Sequence, residues 1–290
     1  MEKPSIKKIS IIDNQNTQKN QNKSLQSNSD TFNFLSETIP SVRVDQLHTR
    51  LNFTQSYKSS QSSLTKSFKD WKMQIDDAPI FRYIFRNILP DRHLEFGTWE
   101  GFGTLLCLEE TDATVWTINL LFGERDLTDE SRVCYSFNDT PEDRDAINNW
   151  TEKVGISNEF IMRYRQTDSI GYIGRLYLEK NLGSRVCQIY SDSKTWDISK
   201  YPRGFFDSAL IDGGHSKDIV FNDTKKAFEL VKSNGIIMWH DFCMDYDIYQ
   251  NFKASLGVMD CLYENWDFIH SNLQDVFWIE PSFILVGVKK

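Results

Sequence analysis

A glycine-rich turn between two apolar segments constrains this chain more than any other feature. The sequence HLEFGTWEGFG spans residues 93–103, has glycines at positions 97, 101 and 103, and is followed directly by the apolar segment TLLCLEE. Glycine is needed where the backbone takes angles that other residues avoid, or where a ligand must approach the main chain closely. The pattern predicts a strand, a tight turn that binds a ligand, and a helix. A purely structural turn without a ligand is the alternative.

The spacing of these glycines differs from that of a dinucleotide-binding turn. A dinucleotide site has the order G-x-G-x-x-G, with a pyrophosphate over the helix N-terminus. Here the order is G-x-x-x-G-x-G, and Glu95 lies two residues before the first glycine. In addition, Asn119 ends the next apolar run, where a nicotinamide site has an acid for the ribose. A nicotinamide-dependent oxidoreductase is therefore a disfavoured alternative.

Short apolar runs alternate with amphipathic segments from residue 93 onward, which is typical of a parallel sheet flanked by helices. The predicted strands are HLEF, TVWTIN, RVCQIYS, FFDSALID and IIMWHDF, followed by DVFWIE and SFILVGV as a closing pair. A proline and a serine separate the closing pair, which predicts an antiparallel hairpin at the sheet edge. The expected fold is α/β: a Rossmann-like, mainly parallel sheet with helices on both faces and an antiparallel C-terminal hairpin.

Two helices can be placed beside these strands. The segment PIFRYIFRNIL is predicted to be helical up to Pro90, because proline cannot continue a helix. In KDIVFNDTKKAFELVKSNG, apolar residues recur about every 3.6 positions, and the helix is predicted to end at Asn234 and Gly235.

The first 65 residues differ in composition from the rest of the chain, because they are rich in Asn, Gln and Ser. Between positions 14 and 30 the only apolar residue is Leu25, which is too little to offset the entropy of ordering. The sequence predicts a disordered tail over residues 1–65 and one domain over 66–290. Residues 121–183 are rich in charge and aromatics and too long for a simple connection, so they are predicted to form an insertion covering the substrate side.

Composition limits the class of partner and the compartment. The chain has 290 residues, a net charge of −8 and a pI near 5.2, which disfavours nucleic acid because its binding normally needs a basic surface. Its five cysteines are widely spaced, without a CxxC pair, as in a reducing compartment. The sequence has no apolar run long enough to span a membrane. We expect a cytoplasmic protein, and a homo-oligomer is compatible with these features.

In an open parallel sheet, ligands bind beyond the carboxyl ends of the strands, so the residue that ends each strand is a candidate. Asn119 ends the second predicted strand and can accept one hydrogen bond from a ribose hydroxyl, although it has no charge. Asp192 and Ser193 follow the third strand and could contact an adenine base. Ser and Asp also favour helix caps, so a structural role is an equal alternative for this pair.

Four titratable residues end the fourth and fifth predicted strands. They are Asp212 and His215 in IDGGH, and His240 and Asp241 in WHDF. Any one of them alone would more often be a cap or a surface residue, but together at one sheet edge they indicate a catalytic site. Two carboxylates can hold a hard divalent cation such as Mg²⁺, and a histidine with a pKa near ~6.5 suits proton removal near neutral pH.

The combined segments HLEFGTWEGFGT, TINL, FFDSALIDGGHSKDIVFND and NGIIMWHDF resemble the class I S-adenosylmethionine-dependent methyltransferases of the methyltransferase 24 type. These are small-molecule O-methyltransferases. The resemblance covers about residues 70 to 290, with a gap at the insertion. It departs from the family pattern at Asn119, where the family usually has an acid, and at His240, where sugar methyltransferases often have a further acid.

The resemblance implies S-adenosylmethionine as cofactor. It further implies that the glycine turn shapes the pocket around the methionine tail, with Glu95, Gly97, Thr98, Gly101 and Gly103 as its members. In metal-dependent relatives, two acids that match Asp212 and Asp241 bind Mg²⁺. The helix residue Asp223 is a further candidate ligand, and a solvated surface residue is the preferred alternative for it.

The expected activity is methyl transfer to a hydroxyl of a small molecule or sugar, with Mg²⁺ assistance as an open question. If no metal binds, His215 or His240 would be the general base. Trp150, Tyr164 and Tyr172 could line the acceptor site, although core packing is favoured for them. Two alternatives remain open: a decayed, non-catalytic nucleoside-binding or scaffold protein, and a methyltransferase for protein or RNA, of which RNA is opposed by the acidic charge.

Overall fold

The computed structural model describes residues 28–57, 66–120, 134–135, 161–164 and 170–290. Expectations for residues 1–27, for 58–65 and for most of the insertion lie outside this range, including the one for Trp150. The strands, in chain order, are β1 (Ser41–Arg43), β2 (Arg92–Phe96), β3 (Thr114–Asn119), β4 (Cys134–Tyr135), β5 (Ile161–Tyr164), β6 (Ile170–Tyr172), β7 (Val186–Tyr190), β8 (Phe206–Ile211), β9 (Val231–Trp239), β10 (Leu273–Glu280) and β11 (Leu285–Lys289).

The α-helices connect and flank these strands. They are α1 (residues 28–38), α2 (Leu47–Arg50), α3 (Met73–Ile88), α4 (Phe102–Glu110), α5 (Arg175–Glu179), α6 (Lys217–Leu230), α7 (Tyr246–Asn251), α8 (Lys253–Glu264) and α9 (Trp266–Ser271). Among the described residues, none of these helices is both long enough and apolar enough to cross a bilayer.

Eight strands form one mixed sheet in the order β1-β10-β11-β9-β8-β2-β3-β7. The strands β7, β3, β2, β8 and β9 run parallel to one another, whereas β11 is antiparallel to both β9 and β10. Successive side chains of a strand point to opposite faces, and each face buries its own apolar cluster. Helices α6 and α8 pack on one face, and α3 and α4 pack on the other. The predicted Rossmann-like fold class is confirmed.

The C-terminal hairpin is present, but its predicted position at the sheet edge is wrong. Strand β11 lies inside the sheet between β9 and β10. The outer side of β10 pairs in parallel with β1, so that Ser41 lies opposite Trp278 and Arg43 lies opposite Glu280. An N-terminal strand therefore covers the edge that the hairpin alone would leave open, which reduces the unpaired backbone available to another chain.

Residues 28–57 are ordered, so the predicted disordered tail does not hold for this part of the first 65 residues. Leu35 and Ile39 are buried in one apolar cluster, and Val44 and Leu47 are buried in the other. These apolar residues follow an Asn- and Gln-rich stretch of the sequence, and each lies against the finished domain. The segment gains its order from burial against distant residues, which local composition cannot reveal.

The helix after β8 ends earlier than predicted. It stops at Leu230, and the residues up to Gly235 belong to the start of β9. The pairing of β8 with β9 shifts register between Phe206 and Ser208. Asn234 lies within this irregular start with a φ of +62°, a left-handed conformation that Asn tolerates better than most residues. The Asn-Gly pair lies in an irregular stretch of the strand pairing and not at a helix end.

The described part of the insertion contains a second, small sheet in the order β4-β5-β6, followed by α5. Tyr172 and Tyr177, near its C-terminal end, are buried. Of the cysteines whose side chains are described, Cys107, Cys243 and Cys261 are buried free thiols and Cys187 is exposed.

We predict that the N-terminal segment contributes to the stability of the whole domain. The Leu35 side chain is 0% exposed, so Leu35→Ala should lower the free energy of unfolding by about 2–5 kcal/mol through lost burial and the cavity that remains. Glu37→Ala, an exposed change in the same helix, should alter it by less than about 0.5 kcal/mol. Chemical denaturation measures both. Equal effects of the two substitutions would contradict the packed position of α1.

Candidate active site

The glycine turn lies at the carboxyl end of β2 and leads into α4. Gly97 and Gly101 have φ values of +96° and +85°, which favour glycine strongly. A Cβ on Gly97 would lie 2.1 Å from the backbone oxygen of Asp212, and one on Gly101 would lie 2.6 Å from the ring of Tyr177. Both positions therefore require glycine for two independent reasons. The turn brings the end of β2 into direct contact with the end of β8.

Glu95 lies beneath the turn and is 1% exposed. Its carboxyl group accepts a hydrogen bond from the Thr104 hydroxyl and interacts with Thr117. A Cβ on Gly103 would lie 2.4 Å from Glu95 Oε1, so the third glycine makes room for this acid. Burial raises the pKa of Glu95 to about 8, against the hydrogen bonds that lower it. The acid thus supports α4 from below.

Thr98 belongs to a buried polar network that fixes the turn. Its hydroxyl lies 2.7 Å from the Thr117 hydroxyl and accepts a hydrogen bond of 2.9 Å from Gln188 Nε2. The other end of the Gln188 amide accepts a 2.8 Å bond from the Tyr177 hydroxyl. The ring of Tyr177 in turn packs against Gly101. Gln188 thereby links β7 to both ends of the turn, a role that the sequence analysis missed.

Asn119 ends β3 next to the turn, as predicted from the sequence. Its side-chain oxygen accepts a 2.9 Å hydrogen bond from the Trp99 amide, and its Nδ2 donates to the Leu120 carbonyl. Asn119 thus braces the turn through Trp99. A ribose contact through the same oxygen remains a prediction.

Asp192 and Ser193 follow β7. Asp192 Oδ1 accepts a 2.8 Å bond from the Lys194 amide, which is the geometry of a turn stabilised by its own side chain. The Ser193 carbonyl accepts a hydrogen bond from Lys226 Nζ. A purely structural role of Asp192 and Ser193 would produce these contacts. Contact of the two residues with an adenine base remains a prediction.

Asp212 and His240 meet at the ends of β8 and β9. His240 Nδ1 lies 2.9 Å from Asp212 Oδ1, and the Asp212 side chain is 29% exposed. On the other side of the ring, His240 Nε2 lies 3.1 Å from Asp77 Oδ2. Burial lowers the pKa of His240, but the two carboxylates outweigh that effect and hold the pKa well above its usual value. Both ring nitrogens thus lie within hydrogen-bond distance of a carboxylate oxygen.

Asp241 and His215 form the second acid–histidine pair. His215 Nε2 lies 2.7 Å from Asp241 Oδ2, with the acid buried and the histidine half-buried. Asp241 has a φ of +60°, an uncommon conformation for a residue with a side chain. Ser255 holds this backbone in place, because its hydroxyl donates a 2.5 Å bond to the Asp241 carbonyl. The strained turn after β9 directs the carboxylate towards the end of β8.

The carboxylates of Asp212 and Asp241 lie close enough together to be candidate ligands of one cation. One ligand atom each from Asp212, Asp241 and His240 lies within 4.8 Å of the others. Because both His240 nitrogens lie against carboxylates, the oxygens of the two acids are the candidate ligands, and oxygen is what Mg²⁺ prefers. Asp223 is 1% exposed, so its interpretation as a solvated surface residue is wrong.

Asp77 is a second site residue that was not predicted from the sequence. It lies on α3, which precedes β2 in the chain. A usable pattern was present in the sequence. Asp77 occupies the apolar stripe of α3, with buried residues at i+3, i+4, i+7 and i+8, namely Ile80, Phe81, Ile84 and Phe85. An acid on such a stripe needs a partner inside the fold, and the partner is His240.

The raised pKa of Glu95 has a measurable consequence for stability. A carboxyl group whose folded pKa lies above its unfolded value of 4.5 contributes stability below pH 4.5 and loses it as the pH rises through about 8. The free energy of unfolding should therefore fall with pH across this window, by at most about 1.4 kcal/mol per pH unit. Glu95→Gln, which is neutral throughout, should remove this slope. The difference between the two pH profiles isolates Glu95, and parallel profiles would contradict its neutral buried state.

Several solved structures are similar to this chain at low sequence identity. A methyltransferase of Podospora anserina with bound S-adenosylhomocysteine is 14% identical, with a TM-score of 0.42 over 98% of this chain and 100% of that chain. An O-methyltransferase of Bacillus cereus, also with S-adenosylhomocysteine, is 13% identical, with a TM-score of 0.43 over 89% and 96%. An O-methyltransferase of Streptomyces achromogenes involved in tomaymycin synthesis, bound to S-adenosylmethionine, is 13% identical, with a TM-score of 0.41 over 90% and 96%.

A comparison with curated proteins gives no match. The model of the methyltransferase 24 family, described as a methyltransferase domain, matches residues 94–242, which is just over half of the chain. This range begins in β2 and ends directly after Asp241, so it contains the glycine turn and both acids at the strand ends. The chain therefore belongs to the methyltransferase 24 family of class I S-adenosylmethionine-dependent methyltransferases.

Proposed function

We propose that this protein transfers a methyl group from S-adenosylmethionine to a hydroxyl group of a small molecule. One observation carries the proposal: the two acid–histidine pairs, Asp212 with His240 and Asp241 with His215, lie at adjacent strand ends beside the glycine turn. A methyl donor at the turn and a hydroxyl at the acids would thus be neighbours. Alignment of the nucleophile with the methyl–sulfur bond supplies much of the rate in such a transfer.

The donor site is formed by the turn from Gly97 to Gly103. Gly97 and Gly101 keep the main chain free of side chains at the carboxyl end of β2, where parallel sheets bind their ligands. The network of Thr98, Thr117 and Gln188 holds the turn rigid from below. A rigid turn supports the proposal, because a preorganised site loses less entropy when the donor binds.

Proton removal from the acceptor is assigned to His215. Its Nε2 lies 2.7 Å from Asp241 Oδ2, and its side chain is 23% exposed, so the acid orients a ring that an acceptor can reach. His240 is less suited to this role because both of its nitrogens lie against carboxylates. Asp241 orients His215 and stabilises the imidazolium that forms.

A divalent cation fits the same site. Asp212 and Asp241 would hold it through carboxylate oxygens, and His240 would keep Asp212 in position. When bound, Mg²⁺ acts as a Lewis acid that makes the loss of a proton from a coordinated hydroxyl easier. The acidic net charge of −8 supports a small acceptor over RNA, because RNA would be repelled by the surface.

The first test is donor binding. Gly101→Val should reduce the affinity for S-adenosylmethionine at least ~100-fold, because its side chain would overlap Tyr177 and its φ of +85° is strained for valine. The matched control is Gly204→Ala. Gly204 also has a positive φ (+69°) but lies at the opposite end of the sheet, so this variant should bind S-adenosylmethionine as the wild type does. Isothermal titration calorimetry measures all three proteins. Absence of binding by the wild type would favour the non-catalytic alternative.

The second test separates chemistry from donor binding. Asn tolerates the left-handed backbone of Asp241, so Asp241→Asn should leave the fold and donor affinity intact. It should lower the affinity for Mn²⁺ at least ~10-fold and turnover of an accepted hydroxyl substrate at least ~100-fold, through loss of a charged ligand and of the His215 partner. Asp207→Asn, an acid at the other end of β8, is the control. Unchanged turnover in Asp241→Asn would contradict the proposed role of the acid.

A further inference from the structure

Asp77 is a buried acid outside the range of residues that the family model matches. It lies on α3, before the family range of 94–242, and is 1% exposed. Burial of a carboxylate is costly unless hydrogen-bond donors surround it. Asp77 Oδ1 accepts a 2.7 Å bond from Trp71 Nε1 and a 3.3 Å bond from the Phe283 amide. Its other oxygen, Oδ2, lies 3.1 Å from His240 Nε2.

These contacts join segments that are far apart in the chain. Trp71 precedes α3, and Phe283 lies in the loop between β10 and β11. The position of Asp77 is thus fixed by the residue before α3 and by the loop between β10 and β11. Neither of these contacts involves the end of β9, where His240 lies. The ring of Phe81, one turn further along α3, lies 5.5 Å from the His240 ring, measured between centroids. The imidazole is therefore fixed by a hydrogen bond at each nitrogen and by packing against one ring.

We propose that Asp77 is a positioning residue for the active site: it fixes the His240 ring so that Nδ1–H donates to Asp212 and holds that carboxylate at the mouth of the site. Asp77 itself contacts neither donor nor acceptor. The relevance of this role to turnover rests on the proposed function, but the geometric claim about His240 does not. Without a fixed acceptor at Nε2, the ring could rotate or exchange its protons, and Asp212 would lose its orienting bond.

A conservative variant distinguishes positioning from a merely structural role. In Asp77→Asn, the amide oxygen can keep the bonds from Trp71 and Phe283 while the amide nitrogen faces His240 Nε2. His240 Nε2 must then accept, so Nδ1 retains its hydrogen and its bond to Asp212. In Asp77→Ala, Nε2 loses its partner, and only the Asp212 contact and the packing against Phe81 hold the ring. A purely structural acid would lower stability in both variants and leave the His240 ring state unchanged.

The experiment is side-chain ¹⁵N NMR of histidine-labelled full-length protein, with the His240 signals assigned from a His240→Gln variant. We expect solvent exchange of the His240 Nδ1 hydrogen to accelerate at least ~10-fold in Asp77→Ala, because one hydrogen bond that fixes the ring is lost. Asp77→Asn should keep the slow Nδ1 exchange, because its amide still holds the Nε2 side of the ring. The control Asp76→Asn, whose acid bonds to Lys66 and the Lys72 amide, should match the wild type.

If Asp77→Ala does not fold, Trp71→Phe provides a milder test, because it removes one donor to Asp77 and keeps an aromatic ring; Nδ1 exchange should accelerate about threefold. The inference is overturned if the His240 Nδ1 hydrogen of folded Asp77→Ala exchanges at the wild-type rate. If Asp77→Ala is unfolded, a wild-type exchange rate in Trp71→Phe overturns it. Calorimetry with S-adenosylmethionine on the same samples tests the proposed function separately. Lack of donor binding by the wild type would reject that function, and the NMR result would still decide the role of Asp77.

Discussion

The contact between Gly97 and the Asp212 backbone is the constraint on which the rest of the site depends. A Cβ at position 97 would lie 2.1 Å from the Asp212 carbonyl oxygen, so the ends of β2 and β8 can approach this closely only because residue 97 is glycine. Hydrogen bonds reinforce the approach, since the Asp212 amide donates to the Phe96 carbonyl. The glycine turn and the acid after β8 are consequently joined through the backbone, which sets their separation.

Charge within the site is arranged so that each acid has a donor. His240 lies between Asp77 and Asp212, and His215 lies against Asp241. The raised pKa of His240 follows from the carboxylates beside it, which favour the charged imidazole despite its burial. The two histidines have different surroundings. One lies between two acids, while the other lies against a single buried acid and is 23% exposed.

Local sequence patterns were sufficient for the parallel strands, the glycine turn and the four polar residues at the strand ends. Those features depend on periodicity and on the rule that parallel strands end at one edge. The patterns failed where order comes from distant contacts. Leu35 and Ile39 lie just after an Asn- and Gln-rich stretch, and their burial depends on contacts with the finished core. The partner of Asp77 was equally hidden, because 163 residues separate it from His240.

The pairing of β1 with β10 has a consequence for how the protein comes to be made. Ser41 pairs with Trp278, which lies 237 residues further along the chain. During synthesis, strand β1 emerges from the ribosome long before its partner exists, so it must wait unpaired while the central strands are translated. The outer edge of the sheet can close only after β10 has followed the central strands out of the ribosome, which makes this edge a late part of the fold to form.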